Sequence, residues 1–175
     1  MKRLFTLTAC ILFLAAGAFA QRLPNPNIRV KHDKFKDSTS ILMKGGDVEN
    51  LKGLATSAHF SAVAIHPGEK LTSPIDGIGI AVSTKSENWL FLDNETILRV
   101  ILNDKERIIL GKMSRTSSDV ERGYVSELLT LVISNKDLNK LANAKKVEMQ
   151  VGRIEFELTE AILADLKEFA GMLVP

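Results

Sequence analysis

The chain has 175 residues, of which 45% are hydrophobic, 25% charged and 6% aromatic, with a formal net charge of +2. That length fits one domain, and the composition is ordinary for a globular protein. It excludes a disordered polymer, a collagen-like chain and a disulfide-stapled mini-protein.

Residues 1–20 read as a signal peptide. Lys2 and Arg3 form a basic start, Leu4 to Ala16 is almost wholly apolar, and Ala18-Phe19-Ala20 supplies the small-x-small pattern that a signal peptidase cuts. Gln21 then begins the mature chain. The apolar run falls short of the about 20 residues of a membrane span, and Pro/Asn-rich sequence follows it. An N-terminal anchor left uncut is the alternative. Leu7-Thr8-Ala9-Cys10 matches the pattern ahead of a lipidated cysteine, but Ile11 to Ala20 continues the apolar run beyond Cys10, which opposes lipidation.

Cutting after Ala20 removes Lys2, Arg3 and the only cysteine, leaving 21 basic residues against 21 acidic ones. A neutral balance opposes nucleic-acid binding, which rests on an excess of Lys and Arg facing phosphates. An exported domain without disulfides is held by its core. A chain of this size buries about 68–70% of its unfolded surface, enough to do so. The periplasm is the expected compartment, extracellular space the alternative, and no stable membrane span is expected once the leader is gone.

Residues 21–53 read as an extended N-terminal segment and 54–175 as a β-rich globular domain. Pro24 and Pro26 alternate with Asn25 and Asn27, which opposes helix. Ile28, Val30 and Phe35 start an edge strand, and Ile41-Leu42-Met43 adds another. Ala58, Phe60, Ala62 and Ala64 then alternate with His59, Ser61, Val63 and Ile65, the mark of a strand with one buried face. Pro67-Gly68 turns the chain before the alternating set Ile78, Ile80, Val82. Lys85 to Asn88 is a polar break ahead of the apolar run Trp89 to Leu92. Thr96 to Leu102 and Arg107 to Met113, separated by Asn103 to Glu106, form a hairpin. Thr116 to Asp119 reads as a loop and Tyr124 to Ile133 as a strong β segment.

At Ser134 the period changes. Ser134 and Asp137 form a capping pair, and a short helix covers Asn135 to Ala144. Lys145 to Val151 and Ile154 to Leu158 make a hairpin around Gly152-Arg153. Thr159 caps a final helix whose stripe Ile162, Leu163, Leu166, Phe169 and Ala170 packs on the sheet. The fold class expected is α+β: a mainly antiparallel β-sheet or β-sandwich with a short helix and a C-terminal amphipathic helix packed on it. Short strands without room for crossovers exclude a doubly wound parallel sheet.

The search for chemistry assigns no catalytic, cofactor-binding or metal residue. There is no Gly-x-Ser-x-Gly elbow, no mature thiol, no Gly-Lys-Ser/Thr loop and no His-Glu-x-x-His. Gly77-Ile78-Gly79 lacks the third glycine of a dinucleotide loop. His32, His59 and His66 are the mature histidines, without a recognised ligand spacing. On one unbroken strand His59 and His66 face opposite ways. The bland reading makes His59 a solvated strand residue and His66 a turn residue. Asp119 and Glu121, and Asp93 and Glu95, are carboxylates in turns, where solvation is the usual state. Asn94-Glu95-Thr96 is a glycosylation acceptor in a eukaryotic secretory pathway only. Trp89, Phe60, Phe91, Phe156 and Phe169 read as core, which leaves little aromatic surface for carbohydrate. Lys136, Lys140, Lys145 and Lys146 form the one basic cluster, either a solvated face or a site for an anionic partner such as lipid headgroups.

Leu138 to Val147, Gly152 to Leu158 with the closing helix, and Lys85 to Leu92 with Trp89 and Phe91, resemble the corresponding parts of certain small exported bacterial proteins of unknown function. The resemblance covers about the C-terminal half. It implies a β-rich exported module and carries no site residues. The expected function is therefore a non-enzymatic module that binds an envelope protein or ligand or plays a structural role. The alternative is an exported hydrolase that gathers groups such as His66, Asp76 and Asp119 in a cleft.

Overall fold

The computed structural model describes residues 25–92 and 96–175. Eleven strands and two helices follow in chain order: β1 (Ile28–Asp33), β2 (Ser38–Asp47), β3 (Glu49–Lys52), β4 (Ala55–Pro67), β5 (Ile78–Ser86), β6 (Ile97–Leu102), β7 (Glu106–Lys112), β8 (Ser114–Glu121), β9 (Tyr124–Ile133), α1 (Asn135–Asn143), β10 (Val147–Val151), β11 (Ile154–Glu157) and α2 (Glu160–Gly171). Sheet I has the order β1-β2-β4-β5-β9-β8 and sheet II the order β3-β11-β10-β6-β7. Every pairing is antiparallel. The fold is α+β and sandwich-like, with helix α2 at the C-terminal end.

Alternation decides which face is inside. In sheet I, Met43, Phe60, Ile80 and Leu129 point inward; in sheet II, Leu98, Val100, Met149 and Phe156 do. With Ile162, Leu166 and Phe169 of α2 they form one contiguous core. Helix α1 is capped as the pattern predicts: Ser134 Oγ accepts from the Asp137 N–H at 3.1 Å. Thr159 Oγ1 accepts from the Ile162 N–H at 3.2 Å at the start of α2. The turn closing β6 and β7 has positive φ at Asn103 (52°) and Asp104 (61°), the mirror-image hairpin turn that matches strand twist.

The segment before residue 54 is woven into both sheets: β2 pairs along β4, and β3 is an edge of sheet II. Its register shifts between Met43 and Gly46, and there Gly45 takes φ of 68°. A Cβ on Gly45 would sit 1.7 Å from the Phe60 carbonyl oxygen, so only glycine fits.

Three local expectations are corrected. Thr116 to Asp119 is not a loop but part of β8, an edge strand exposed along all its residues; with no buried face it shows no apolar alternation. The apolar run Trp89 to Leu92 is only partly core. Leu90 and Phe91 plug the core from an irregular segment, while Trp89 is 40% exposed rather than core. Phe35 lies outside β1, in the turn that follows it.

The Pro/Asn segment is anchored by an interaction across the length of the chain. Asp165, nearly buried on α2, accepts from Asn25 Nδ2 at 2.7 Å and Asn27 Nδ2 at 2.9 Å. Hydrogen bonds to a charged group contribute more than neutral ones, so Asp165→Ala is expected to destabilise the fold by about 2 kcal/mol. Chemical denaturation of Asp165→Ala alone and combined with Asn25→Ala checks it: the two losses should not add, and full additivity would mean that the clamp is absent.

Candidate functional site

A groove of about 500 Å³ runs across the outer face of sheet II. Strand register builds the groove. Ile101 stands opposite Arg107, and Arg99 opposite Ile109, across β6 and β7. On the other side of β6, Glu148 of β10 faces Ile101 and Gln150 faces Arg99. Glu157 and Glu155 of β11 continue those two rows. The result is a face on which Ile101 and Ile109, the latter 70% exposed, alternate diagonally with Arg107 and Arg99 on β6 and β7, with carboxylates along β10 and β11.

The carboxylates are tied to neighbours. Glu157 Oε2 accepts from Asn50 Nδ2 at 2.8 Å, and Glu155 Oε1 from Gln150 Nε2 at 3.0 Å. Glu148 lies 2.8 Å from Lys146 Nζ. Among the described residues, no carboxylate lies within ion-pair range of Arg107. The face therefore offers apolar contact beside a guanidinium whose five donors suit a carboxylate, sulfonate or phosphate.

A second polar cluster lies at one end of sheet I. The Glu127 side chain is fully buried, accepts from the Leu90 N–H at 2.8 Å and meets Arg115 Nη1 at 3.2 Å. Arg115 in turn lies 5.5 Å from the centroid of the Trp89 ring. Thr84, opposite Glu127, carries a buried hydroxyl without a hydrogen-bond partner. This cluster fastens residues 87–92 to the sheet.

The residues singled out from sequence are scattered. His66 is not in a turn but in β4, buried beside Thr39 of β2, with its Nδ1 2.8 Å from the Pro67 carbonyl oxygen. His32 is in β1, 3.1 Å from Thr39 Oγ1. His59 is on the opposite face of β4 from His66, its ring between Asp47 Oδ1 and the Lys44 carbonyl oxygen. Among the described residues no group of three or more His, Cys, Asp or Glu side chains is placed to hold a metal ion. Asp76 accepts from the Asn135 N–H at 3.3 Å beside the start of α1.

Asp119 lies far from His66 and Asp76. Ile78 pairs with Ala64 near His66, whereas Lys85 pairs with Ser126, which faces Asp119. The intervening strand spans about 23 Å at 3.3 Å per residue, so the three groups do not share a cleft. Asp119 and Glu121 are exposed on β8. Asp93, Glu95 and Cys10 lie outside the described residues.

Two of the four clustered lysines are neutralised by carboxylates. Lys140 Nζ bonds Glu106 Oε1 at 2.8 Å, and Lys146 Nζ bonds Asp104 Oδ1 at 2.7 Å. The hydrogen bond to Glu106 raises the Lys140 ammonium above its ordinary range, and those to Asp104 and then Glu148 raise Lys146 further. A raised amine contributes stability at all pH values below the usual 10.5 and loses it only in stronger alkali. Compared with known proteins, the chain matches no family model, no curated protein and no solved structure.

Proposed function

We propose that the protein is an exported, non-enzymatic binding module of the cell envelope, and that the open face of sheet II receives its ligand. The leader-like pattern of residues 1–20 supports export, as does the resemblance of the C-terminal half to small exported bacterial proteins. The groove carries the binding reading. Ile101 and Ile109 beside the unpaired Arg107 suit a ligand with an apolar body and an anionic group. The carboxylates around it are engaged with Asn50, Gln150 and Lys146, which suits a fixed surface that positions a ligand.

Anilinonaphthalene sulfonate has the required chemistry and reports binding by fluorescence. It is expected to bind the folded protein in this groove, and Arg107→Glu and Ile109→Glu are each expected to weaken it about tenfold, the loss of one charge-assisted contact or one buried aliphatic chain. Both side chains are exposed, so the variants should melt as the parent does. Unchanged affinity in both variants would remove the groove from the account. Turnover in a hydrolase panel, lost on mutation of a groove residue, would replace binding with catalysis.

A further inference from the structure

The β1–β2 turn, at the other sheet, presents a surface of a different kind. Asp33 Oδ1 accepts from the backbone N–H groups of Phe35 at 3.0 Å and Lys36 at 3.3 Å, and Asp37 adopts φ of 44°. This side-chain-to-backbone turn fixes the loop. Phe35 consequently projects from its tip with 96% of its surface exposed, between exposed Lys34 and Lys36. Strand β1 places Arg29 and Lys31 in register with Leu42 and Ser40, on the outer face of sheet I. Ser40 faces Ile65, itself 62% exposed. Lys31 and Ile65 thus share the outer face near the turn that carries Lys34, Phe35 and Lys36, while Arg29 lies toward the far end of β1.

The charges there differ from those of the Lys140 and Lys146 cluster. Lys140 and Lys146 are held by carboxylates, but among the described residues Arg29, Lys31, Lys34 and Lys36 have none within ion-pair range. Asp33 is occupied by its own turn, and Asp37 lies 4.0 Å from His32 Nε2. We propose that this end of sheet I docks on a bilayer surface containing anionic phospholipid. Phe35 enters the boundary between headgroups and acyl chains, and Lys31, Lys34 and Lys36 meet lipid phosphates. A protein partner is the poorer fit, because the centres of such interfaces exclude lysine and form a continuous packed patch. A single aromatic raised on a rigid tip among cations suits a soft interface that closes around it. The attachment is peripheral: among the described residues no helix is long and apolar enough to cross a membrane.

Co-sedimentation of residues 21–175, which hold every strand, helix and core residue described above, tests the proposal. The vesicles are equal parts phosphatidylglycerol and phosphatidylcholine, compared with phosphatidylcholine alone. Binding is expected to the anionic vesicles, to fall with added salt, and to be far weaker on the neutral ones. Each cation near an anionic surface strengthens binding about fivefold, so Lys34→Glu combined with Lys36→Glu is expected to weaken it at least tenfold. Phe35→Ser is expected to weaken it about tenfold through lost apolar burial. All three side chains are exposed, so thermal melts should match the parent, while Arg107→Glu on sheet II should bind vesicles as the parent does. Equal binding to both vesicle types, parental binding by the Phe35 and lysine variants, or no sedimentation would overturn the proposal. Capture of soluble polyaspartate without vesicle binding would also overturn it, assigning the surface to an acidic protein.

Discussion

Phe169→Ala is expected to destabilise the protein by about 3–5 kcal/mol, seen as a fall in the urea midpoint with an unchanged slope. Phe169 is wholly buried, on the last turn of α2, and belongs to the common core. Truncation removes an aromatic ring from a site that can collapse only partly. The surroundings are pinned on several sides: Gly46 of β2 backs onto Ile162, α2 packs on α1, and the Leu173 carbonyl accepts from the Ile75 N–H at 3.0 Å. A cavity therefore persists, and its lost contacts add to the lost transfer free energy. Phe35→Ala is the matched control, the same chemistry at an exposed turn, and should change stability by less than about 0.5 kcal/mol. If Phe169→Ala behaved like its control, α2 would not be docked and the core assignment would fail.

Helix α2 also shows why some of the fold was legible and some was not. Ile162, Leu163, Leu166, Phe169 and Ala170 recur at helical spacing, and each is buried. Asp165 is buried in the same helix, yet a carboxylate in an amphipathic pattern reads as solvated. Its partners Asn25 and Asn27 lie about 140 residues away, and no local pattern encodes a contact at that range. Alternation located β4 and β5 because one face is apolar. It missed β8, where both faces are polar and the backbone ladder to β9 alone defines the strand. Trp89 reads as core among the few aromatics, but its ring is held against Arg115 at the surface. Pro67-Gly68 after His66 reads as a turn, whereas β4 extends through Pro67.

The groove illustrates the same limit. Arg99-Val100-Ile101 and Arg107-Ile108-Ile109 carry a readable signal, since alternate positions of a strand share a face and Arg99 and Ile101 must lie together. What the pattern cannot supply is which strand lies alongside. Only the pairing of β6 with both β7 and β10 sets Ile101 between Arg107 and Glu148. Arg107 to Met113 reads as a hairpin strand, and the sheet assigns Ile109 to the open side.

The other large effect is expected at Arg115. Its guanidinium meets the fully buried Glu127 carboxylate at 3.2 Å, so Arg115→Ala leaves a charge inside the protein with the Leu90 N–H as its remaining partner described here. Breaking a buried pair from one side is far more harmful than replacing both members, and a loss of about 3 kcal/mol is expected. Trp89, the single tryptophan, reports the event directly: with its cation gone, its emission should shift to the red as residues 87–92 loosen. Adding Glu127→Leu to Arg115→Ala should recover much of the stability, because the double variant buries no charge. The emission should nevertheless stay shifted, since the carboxylate that fastens Leu90 has gone as well. Recovery of stability without recovery of the emission would separate the two roles of Glu127: a burden on the core that an aliphatic chain relieves, and the anchor that seats Leu90 and Phe91 in it. An Arg115→Ala protein as stable as the parent would mean that water reaches Glu127, and the segment would then be held chiefly by the buried Leu90 and Phe91.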